Sequence, residues 1–371
     1  MTGVAFVGCG YVADYYAKTL GAHRNLELTG VADIDVARAK RFATHHDVEA
    51  YRTYRELLDD PRVEIVANLT DPRSHFEVSE AALLAGKHVY SEKPLAMRLD
   101  QAKRLVEIAE LQGRTLSSAP CSLLGESAQT MWRAVRDRRV GQVRLVYAEM
   151  DEGLVHRMPH ASWLSDSGAP WPYRDEFELG TVVEHAGYVL TWLPAMFGPA
   201  TTITGFADRL IPVKSGIATD GTDFAVAAIR FTSGVVARLT CSLIAPHDHS
   251  LKVVGDEGVL SIADTWFYDS PVHVRRSINL GRRHQWLPRR RIRLLGEPRR
   301  YRYRGAQQMD FARGLAEMAE AIDEGRTPRL SADFCLHATE MVLAVSTALR
   351  ECSTYRMTTT FEPVRPMTWA T

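Results

Sequence analysis

The first 120 residues alternate short apolar runs with segments in which apolar side chains recur every three to four positions. Short apolar runs are typical of buried strands, and the longer spacing is typical of amphipathic helices. The predicted strands are residues 4–7, 28–32, 64–69, 88–90 and 115–118, and the predicted helices are residues 11–20, 36–43, 75–84 and 98–112. This alternation predicts an α/β domain over residues 1–120, with a doubly wound parallel sheet between two layers of helices.

From about residue 121 the pattern changes to longer segments in which polar and apolar residues alternate. After one helix at residues 128–138, the predicted strands are residues 143–150, 201–207, 224–231, 235–243 and 250–254. Strands without intervening helices favour an open, mostly antiparallel sheet. Helical spacing returns at residues 310–323 and 332–350. We therefore predict a second, α+β domain over residues 121–371 for substrate binding and oligomerisation, with its C-terminal helix packed back on the first domain.

A glycine-rich turn, GCGYVA at residues 8–13, joins the first predicted strand to the first predicted helix. Gly8 permits a sharp turn, and Gly10 has no Cβ to block a pyrophosphate held at the helix N-terminus. Asp33, at the end of the second strand, can bind an adenosine ribose and repel a 2′-phosphate, and neither of the next two residues is basic. The pattern predicts a Rossmann domain that prefers NAD to NADP, with an ordinary tight turn as the alternative. The cofactor-binding residues are Gly8, Gly10, Tyr11, Val12 and Asp33.

Composition narrows the classes of protein that fit. The chain has 45 basic and 45 acidic residues, and no apolar run approaches the length of a membrane span. Its five cysteines form no CxxC pair, which favours a reducing, cytoplasmic setting and argues against a zinc or other metal site. A strand begins almost at the first residue, so we expect no signal peptide and no membrane association.

Residues 275–304 carry twelve arginines, no lysine and a single acid, Glu297. Apolar and aromatic residues between the arginines predict strands with exposed arginine faces. Three interpretations remain open: a solvated hairpin or subunit contact, a site for a diphosphate or other anionic substrate, and a surface for nucleic acid or an anionic membrane. The chain has no recognised nucleic-acid module, which disfavours nucleic acid as a partner. The arginines are Arg275, Arg276, Arg282, Arg283, Arg289, Arg290, Arg291, Arg293, Arg299, Arg300, Arg302 and Arg304.

The turn at residues 8–13 and Asp33 are followed by AGKHV at residues 85–89, by Glu92-Lys93-Pro94 after a strand, and by GDEG at residues 255–258. In this order and spacing the motifs resemble the Gfo/Idh/MocA family, which includes glucose–fructose oxidoreductase and inositol dehydrogenase. The resemblance implies an NAD-dependent sugar or cyclitol dehydrogenase or ketoreductase that forms homodimers or homotetramers through an open sheet face. It also carries the cofactor site over to Thr70, Pro72, His75, Glu92 and Lys93.

Hydride transfer to or from a carbinol carbon needs a group that moves the hydroxyl proton. Lys93 is expected to hold the substrate oxygen and stabilise charge there. Most family members carry an Asp and, four residues later, an acid/base His on a helix of the second domain; the same register here gives Glu184 and Tyr188. Residues four apart share a helix face, so Tyr188 with Glu184, the neighbouring His185, or Lys93 itself can transfer the proton. A packing role for Tyr188 and His185 is also open.

Three functions fit these motifs. The first is an NAD(H)-dependent oxidoreductase acting on a sugar, cyclitol or nucleotide-linked sugar. The second is an enzyme that retains NAD and uses transient oxidation for epimerisation or elimination. The third is a non-catalytic regulatory protein that senses NAD or sugar. A loop before residue 180 adds aromatic rings that either stack on a substrate or pack under the loop: His156, His160, Trp163, Trp171 and Tyr173.

Overall fold

The computed structural model describes residues 1–299, 301, 309–348 and 353–371, and the chain divides into two compact units. Both units are built from segments that are distant in sequence. Unit 1 comprises Met1–Cys121, Pro159–Glu176 and Asp310–Leu343. Unit 2 comprises Ser122–Met158, Phe177–Met309 and Ala344–Thr371.

The regular elements alternate in the first part of the chain and become strand-rich afterwards. The α-helices are α1 (Tyr11–Leu20), α2 (Val36–His46), α3 (Tyr54–Asp59), α4 (His75–Leu84), α5 (Leu99–Leu111), α6 (Glu126–Arg136), α7 (Tyr173–Leu179), α8 (Gly187–Leu190), α9 (Trp192–Phe197), α10 (Arg313–Asp323) and α11 (Ala332–Ala348). The strands are β1 (Thr2–Val7), β2 (Leu26–Ala32), β3 (Glu49–Ala50), β4 (Ile65–Asn68), β5 (His88–Ser91), β6 (Leu116–Ser118), β7 (Val143–Asp151), β8 (Ala200–Asp208), β9 (Val213–Lys214), β10 (Ile217–Ala218), β11 (Phe224–Phe231), β12 (Val236–Ser242), β13 (Leu251–Gly255), β14 (Gly258–Ile262), β15 (His273–Leu280), β16 (Arg283–Trp286), β17 (Arg290–Arg291) and β18 (Tyr355–Arg356).

Unit 1 contains a parallel sheet with the strand order β3-β2-β1-β4-β5-β6. Every residue of β1 and β4 is buried, as expected of strands covered on both faces by helices. The strand order reverses between β1 and β4, and sheets of this kind bind ligands beside the carboxyl ends of strands at such a point. The predicted α/β fold class is confirmed.

Unit 2 contains a sheet with the order β16-β15-β14-β13-β7-β12-β11-β8-β18, and β17 pairs with β15. Only β7 and β12 pair in parallel among the described neighbours, which confirms the predicted, mostly antiparallel sheet. The turn between β11 and β12 ends at Gly234, whose φ of +83° is a conformation that glycine adopts without steric cost. Burial alternates along β11, so one sheet face is covered and the other is more exposed.

The arginine-rich segment forms strands up to residue 291, as predicted for that part, whereas the described residues 292–299 form none. β15 and β16 pair as an antiparallel hairpin on which most side chains are exposed. Arg276 pairs with Glu257 at 2.7 Å, and Arg275 lies over the ring of Trp286 at 5.2 Å. These contacts lie within the sheet edge and support a solvated hairpin at that position. Arg300, Arg302 and Arg304 lie outside the described residues.

No helix in the described ranges has both the length and the apolar character needed to span a bilayer. The longest described helix, α11, has 17 residues.

Candidate functional site

The glycine turn after β1 is shaped by the backbone of the neighbouring strand. Gly8 has φ of +100°, and a Cβ there would lie 2.5 Å from the carbonyl oxygen of Leu69. Gly10 precedes α1, and a Cβ there would meet nothing within 4 Å. Tyr11 and Val12 open the helix, whose N-terminus carries no side-chain cap. The open space at Gly10 and the uncapped amides fit the phosphates of a dinucleotide.

Asp33 at the end of β2 holds this turn in place. Its Oδ2 accepts the backbone N–H of Cys9 at 2.8 Å, and its Oδ1 accepts that of Asp35 at 2.8 Å. Arg38 approaches the same carboxylate at 3.6 Å and that of Asp35 at 3.8 Å. Arg38 lies five residues after Asp33, and the first turn of α2 brings it back toward that carboxylate. The two residues directly after Asp33 therefore gave no sign of it. Asp33 therefore has a structural role in addition to its predicted contact with ribose.

The loop after β4 is fastened to the loop after β5 by His75. This ring is fully buried, with Nδ1 2.7 Å from the carbonyl oxygen of Pro94 and Nε2 3.1 Å from that of Thr70. Burial lowers the pKa of His75, although both carbonyls favour the protonated ring. Thr70 also donates its hydroxyl to Asn68 at 2.7 Å, and Pro72 opens the short turn that follows. Both ring nitrogens of His75 thus face backbone oxygens.

Glu92 fixes the turn that carries Lys93. Its Oε1 accepts the hydroxyl of Tyr16 at 2.7 Å, and its Oε2 accepts the backbone N–H of Lys93 at 3.0 Å. The Lys93–Pro94 peptide bond is cis. Glu92 is buried, whereas Lys93 is half-buried at the carboxyl edge of the sheet. The predicted residues of unit 1 therefore gather in the loops after β1, β2, β4 and β5.

Residues 159–176, which we call the strap, belong to unit 1 although they follow β7 in sequence. Asp14 of α1 accepts the hydroxyl of Ser167 at 2.8 Å and its backbone N–H at 3.2 Å. Lys18 pairs with Asp166 at 3.1 Å. Farther along, Arg73 pairs with Asp175 at 3.0 Å. The strap is thus tied to the helix after β1 and to the loop after β4.

The aromatic rings of the strap pack on one another. His160 stacks on Tyr173 with ring centroids 4.8 Å apart, and Trp163 lies 5.1 Å from Trp171. His160 is buried, and burial lowers its pKa. These contacts support packing within the loop for four of the rings. His156 lies in unit 2.

The predicted helix of unit 2 begins as a π-helix, Val182–Ala186, and continues into α8. The i→i+5 bonding of a π-helix widens this turn relative to the α-helix assumed from the register, and the shared face of Glu184 and Tyr188 stays a prediction. Gly180 precedes it with φ of +86°, where a Cβ would lie 2.6 Å from the carbonyl oxygen of Thr222. Such π turns are frequent at functional sites.

Within this turn, His185 is buried and has an acidic neighbour that the motifs did not reveal. Its Nδ1 lies 2.8 Å from Oε1 of Glu152, at the end of β7. His249 approaches the same oxygen through Nε2 at 3.0 Å. Burial by itself raises the pKa of Glu152, but the two imidazoles more than offset this and hold it well below its usual range. Glu152 is thus a carboxylate shared by two histidines.

The ring of Trp266 joins these histidines to Tyr188. Its centroid lies 4.5 Å from that of Tyr188, 4.6 Å from that of His249 and 6.2 Å from that of His185. Glu184 is half-buried in the same turn. The structure therefore groups the predicted His185 and Tyr188 with residues from β7 and from the ends of β13 and β14, whose distance in sequence conceals them from motif analysis.

Comparison with known families gives matches over most of the chain. Residues 2–119 match a family model described as an oxidoreductase family with an NAD-binding Rossmann fold. Residues 128–261 match the model of the GFO/IDH/MocA C-terminal domain. Together these segments cover the parallel sheet of unit 1 and the strands of the unit 2 sheet up to residue 261.

Individual relatives share only a modest fraction of identical residues with this chain. The chain is 26% identical over 240 residues to the trans-1,2-dihydrobenzene-1,2-diol dehydrogenase of Bos taurus, which is 64% of this chain and 66% of that protein. The chain thus spans just under two thirds of that relative's length. An aldose–aldose oxidoreductase from Caulobacter crescentus, solved with glycerol, aligns over 96% of this chain and 99% of its own, with TM-score 0.76 and 20% identity. A 3-ketoreductase from Actinomadura kijaniata, solved with NADP and TDP-benzene, aligns over 93% and 97%, with TM-score 0.73 and 22% identity. At these identities the two structures show a shared fold.

Proposed function

The chain belongs to the Gfo/Idh/MocA oxidoreductase family, and on that premise we propose that it is an NAD(H)-dependent dehydrogenase or ketoreductase. Its substrate is a sugar, cyclitol or nucleotide-linked sugar, oxidised or reduced at a carbinol or keto carbon. The observation that carries the proposal is the Glu92-Lys93-Pro94 turn, where a buried carboxylate fixes a lysine at the carboxyl edge of a dinucleotide-binding sheet. The ketoreductase and aldose oxidoreductase folds described above are consistent with this substrate class.

The cofactor is held by the loops after β1 and β2. The open space at Gly10 and the uncapped start of α1 receive the pyrophosphate, and Asp33 receives the ribose. The positive charge of Arg38 would attract the 2′-phosphate of NADP, but this guanidinium is shared by the carboxylates of Asp33 and Asp35. That sharing supports NAD over NADP. When bound, the nicotinamide accepts or donates the hydride.

Two side chains divide the remaining chemistry. Lys93 binds the substrate oxygen and stabilises the negative charge that grows there. His185 transfers the hydroxyl proton, because a carboxylate 2.8 Å from its Nδ1 provides the pairing of base and orienting group used for acid/base catalysis. Glu152 is a positioning residue in this scheme, and Tyr188 packs beside the imidazole on Trp266.

The test follows NADH absorbance while free sugars, inositols and nucleotide sugars are supplied with NAD or NADP. We expect turnover with one of these classes and a higher kcat/KM with NAD. Lys93→Met should lower kcat at least a hundredfold while NAD still binds in calorimetry, because the ammonium acts on the substrate oxygen. Lys103→Met, an exposed position on α5, is the matched control and should keep full turnover. Full activity of Lys93→Met would contradict the assignment.

A second candidate, an enzyme that keeps NAD bound and returns the hydride to its substrate, is favoured by the strap. Three contacts tie residues 159–176 to the loop after β4 and to α1, whose N-terminus receives the pyrophosphate in the first scheme. A segment fastened there would slow cofactor release. Purified protein that yields NAD only after denaturation, and that shows no net NADH formation with any substrate, would support this candidate over the first.

A further inference from the structure

The hairpin formed by β13 and β14 brings two histidines beside an aspartate. Leu251 at the start of β13 pairs with Ile262 at the end of β14. The residues that precede β13 therefore lie beside the residues that follow β14. His247 and His249 precede β13, and Asp264 follows β14. A backbone bridge joins His249 to Asp264 directly.

Their side-chain atoms have the separations of metal ligands. One nitrogen or oxygen from each of the three side chains lies within 4.8 Å of the other two. Nε2 of His247 is 3.4 Å from Oδ2 of Asp264, and Nδ1 of His249 is 3.9 Å from Oδ1. Metal–ligand bonds of about 2.0–2.2 Å in a tetrahedral site give ligand separations of about 3.4 Å. Two imidazoles and a carboxylate suit zinc and other divalent first-row metals.

His249 supplies an independent observation that points to a ligand. The side chain is buried, and its Nδ1 makes no well-directed hydrogen bond within the described part of the chain. A buried polar atom left in this state destabilises the fold, and a bound ion would relieve that cost. Its Nε2 lies 3.0 Å from Glu152. A carboxylate behind the far nitrogen of a metal-bound histidine is the usual way in which proteins orient such a ligand.

We propose that His247, His249 and Asp264 bind a divalent transition-metal ion, zinc being the best match, and that Glu152 positions His249 for it. The absence of paired cysteines, from which the sequence analysis expected no metal, does not bear on a site made of imidazole and carboxylate. The fourth coordination position is left for water or a substrate hydroxyl. This site does not rest on the proposed hydride transfer.

A second cluster, Asp14 with His45 and His46, satisfies the same spacing criterion in unit 1. There Asp14 is already engaged: His46 lies 2.6 Å from one of its oxygens, and Ser167 donates to the other. The two histidines here are exposed or half-buried, so this cluster has no buried, unpaired imidazole nitrogen such as Nδ1 of His249. This cluster serves as the internal control.

The experiment treats full-length protein with a chelator and titrates it with Zn²⁺ by calorimetry and with Co²⁺ by visible absorption, without cofactor or substrate. We expect one equivalent of zinc, and a Co²⁺ spectrum with nitrogen and oxygen ligands. His247→Ala and Asp264→Asn should each weaken binding at least tenfold, and Glu152→Gln about ten- to a hundredfold. His45→Ala and the exposed His284→Ala should leave it unchanged.

Folding of the variants is checked by circular dichroism, and His247 is exposed enough for its removal to be tolerated. Zinc should also raise the midpoint of thermal unfolding of the wild type but not of His247→Ala. No binding above background, or binding that His45→Ala removes and His247→Ala retains, would overturn the proposal. Because no hydride transfer is measured, failure of the proposed function would leave this result untouched.

Discussion

His75 and His185 are both buried, but their neighbours differ. The ring of His75 lies between two backbone carbonyls and has a lowered pKa because of burial. The ring of His185 lies 2.8 Å from the carboxylate of Glu152, which can stabilise an imidazolium. The first is suited to holding two loops together, and the second to accepting and releasing a proton.

The assignment of the proton to His185 can be tested against Tyr188. We expect His185→Gln to lower kcat by about 10² to 10⁴, the usual contribution of general acid–base catalysis, and to remove the corresponding pKa from the pH–rate profile. Tyr188→Phe keeps the ring on Trp266 and should cost less than tenfold. Steady-state and single-turnover rates of both variants give the answer. The reverse order of effects would place proton transfer on Tyr188, the alternative that the family register favours.

The lowered pKa of His75 predicts a pH-dependent stability for unit 1. Above the unfolded value near 6.5, both states are neutral and the residue contributes no pH dependence. As pH falls below 6.5, the unfolded chain takes up a proton that the folded ring resists, so stability is lost by up to about 1.4 kcal/mol per pH unit. Hydrogen exchange of the β4 and β5 amides between pH 8 and 5.5 measures this effect.

His75→Gln isolates the contribution, since His88 also has a pKa lowered by burial and stays in place. The glutamine variant should be less stable than the wild type at pH 8, and the gap should narrow toward pH 5.5. A gap that stays constant with pH would show that His75 does not resist protonation.

At the scale of elements, the sequence pattern predicts β1, α1 and α5 well, because each is long, strongly periodic or bounded by glycine. It misses β3 and α3, which have two and six residues and are stabilised by contacts with β2 rather than by a pattern of their own. The π turn at Val182–Ala186 is missed for a similar reason, since no side-chain spacing distinguishes it from an α-helix. Of the acidic and imidazole residues around it, only the His247-x-His249 spacing offers a sequence signal, and Glu152 offers none.

The strap is the element whose function is easiest to test by its contacts. Ser167→Ala removes the hydroxyl that donates to the carboxylate of Asp14. This hydrogen bond is half-buried and charge-assisted. Loss of about 1.5 kcal/mol there would raise the rate of NAD release about tenfold. Stopped-flow displacement of bound NADH measures the rate directly.

Asp166→Asn is the matched control on the same segment. The side chains of Asp166 and its partner Lys18 are 36% and 32% exposed. Ion pairs exposed in this way contribute only about 0–1 kcal/mol to stability. We expect release to change less than about threefold in this variant. Equal rates in the wild type and Ser167→Ala would show that the strap does not retain the cofactor.

At the scale of the whole molecule, the more exposed face of the unit 2 sheet carries apolar residues that a single subunit leaves uncovered. Leu145 and Tyr147 on β7 are 39% and 37% exposed, and Phe206 on β8 is 44% exposed. Cross-strand pairing puts Arg238 beside Tyr147, with its guanidinium 5.0 Å from the ring. Exposed apolar patches of this kind mark protein interfaces, which agrees with the homodimer or homotetramer expected from the family resemblance.

We therefore expect the protein to sediment as a dimer or tetramer at micromolar concentration. Phe206→Glu and Tyr147→Glu put carboxylates on this face, where desolvation in an interface costs several kcal/mol per charge, so each should shift the protein toward monomer by at least tenfold in dissociation constant. Leu210→Glu is the control, because that side chain is 53% exposed but follows the end of β8. Sedimentation velocity separates the outcomes, and near-ultraviolet circular dichroism checks that the subunit fold is intact. A wild type that stays monomeric would contradict the expected oligomer, and variants that associate normally would show that another surface forms the subunit contact.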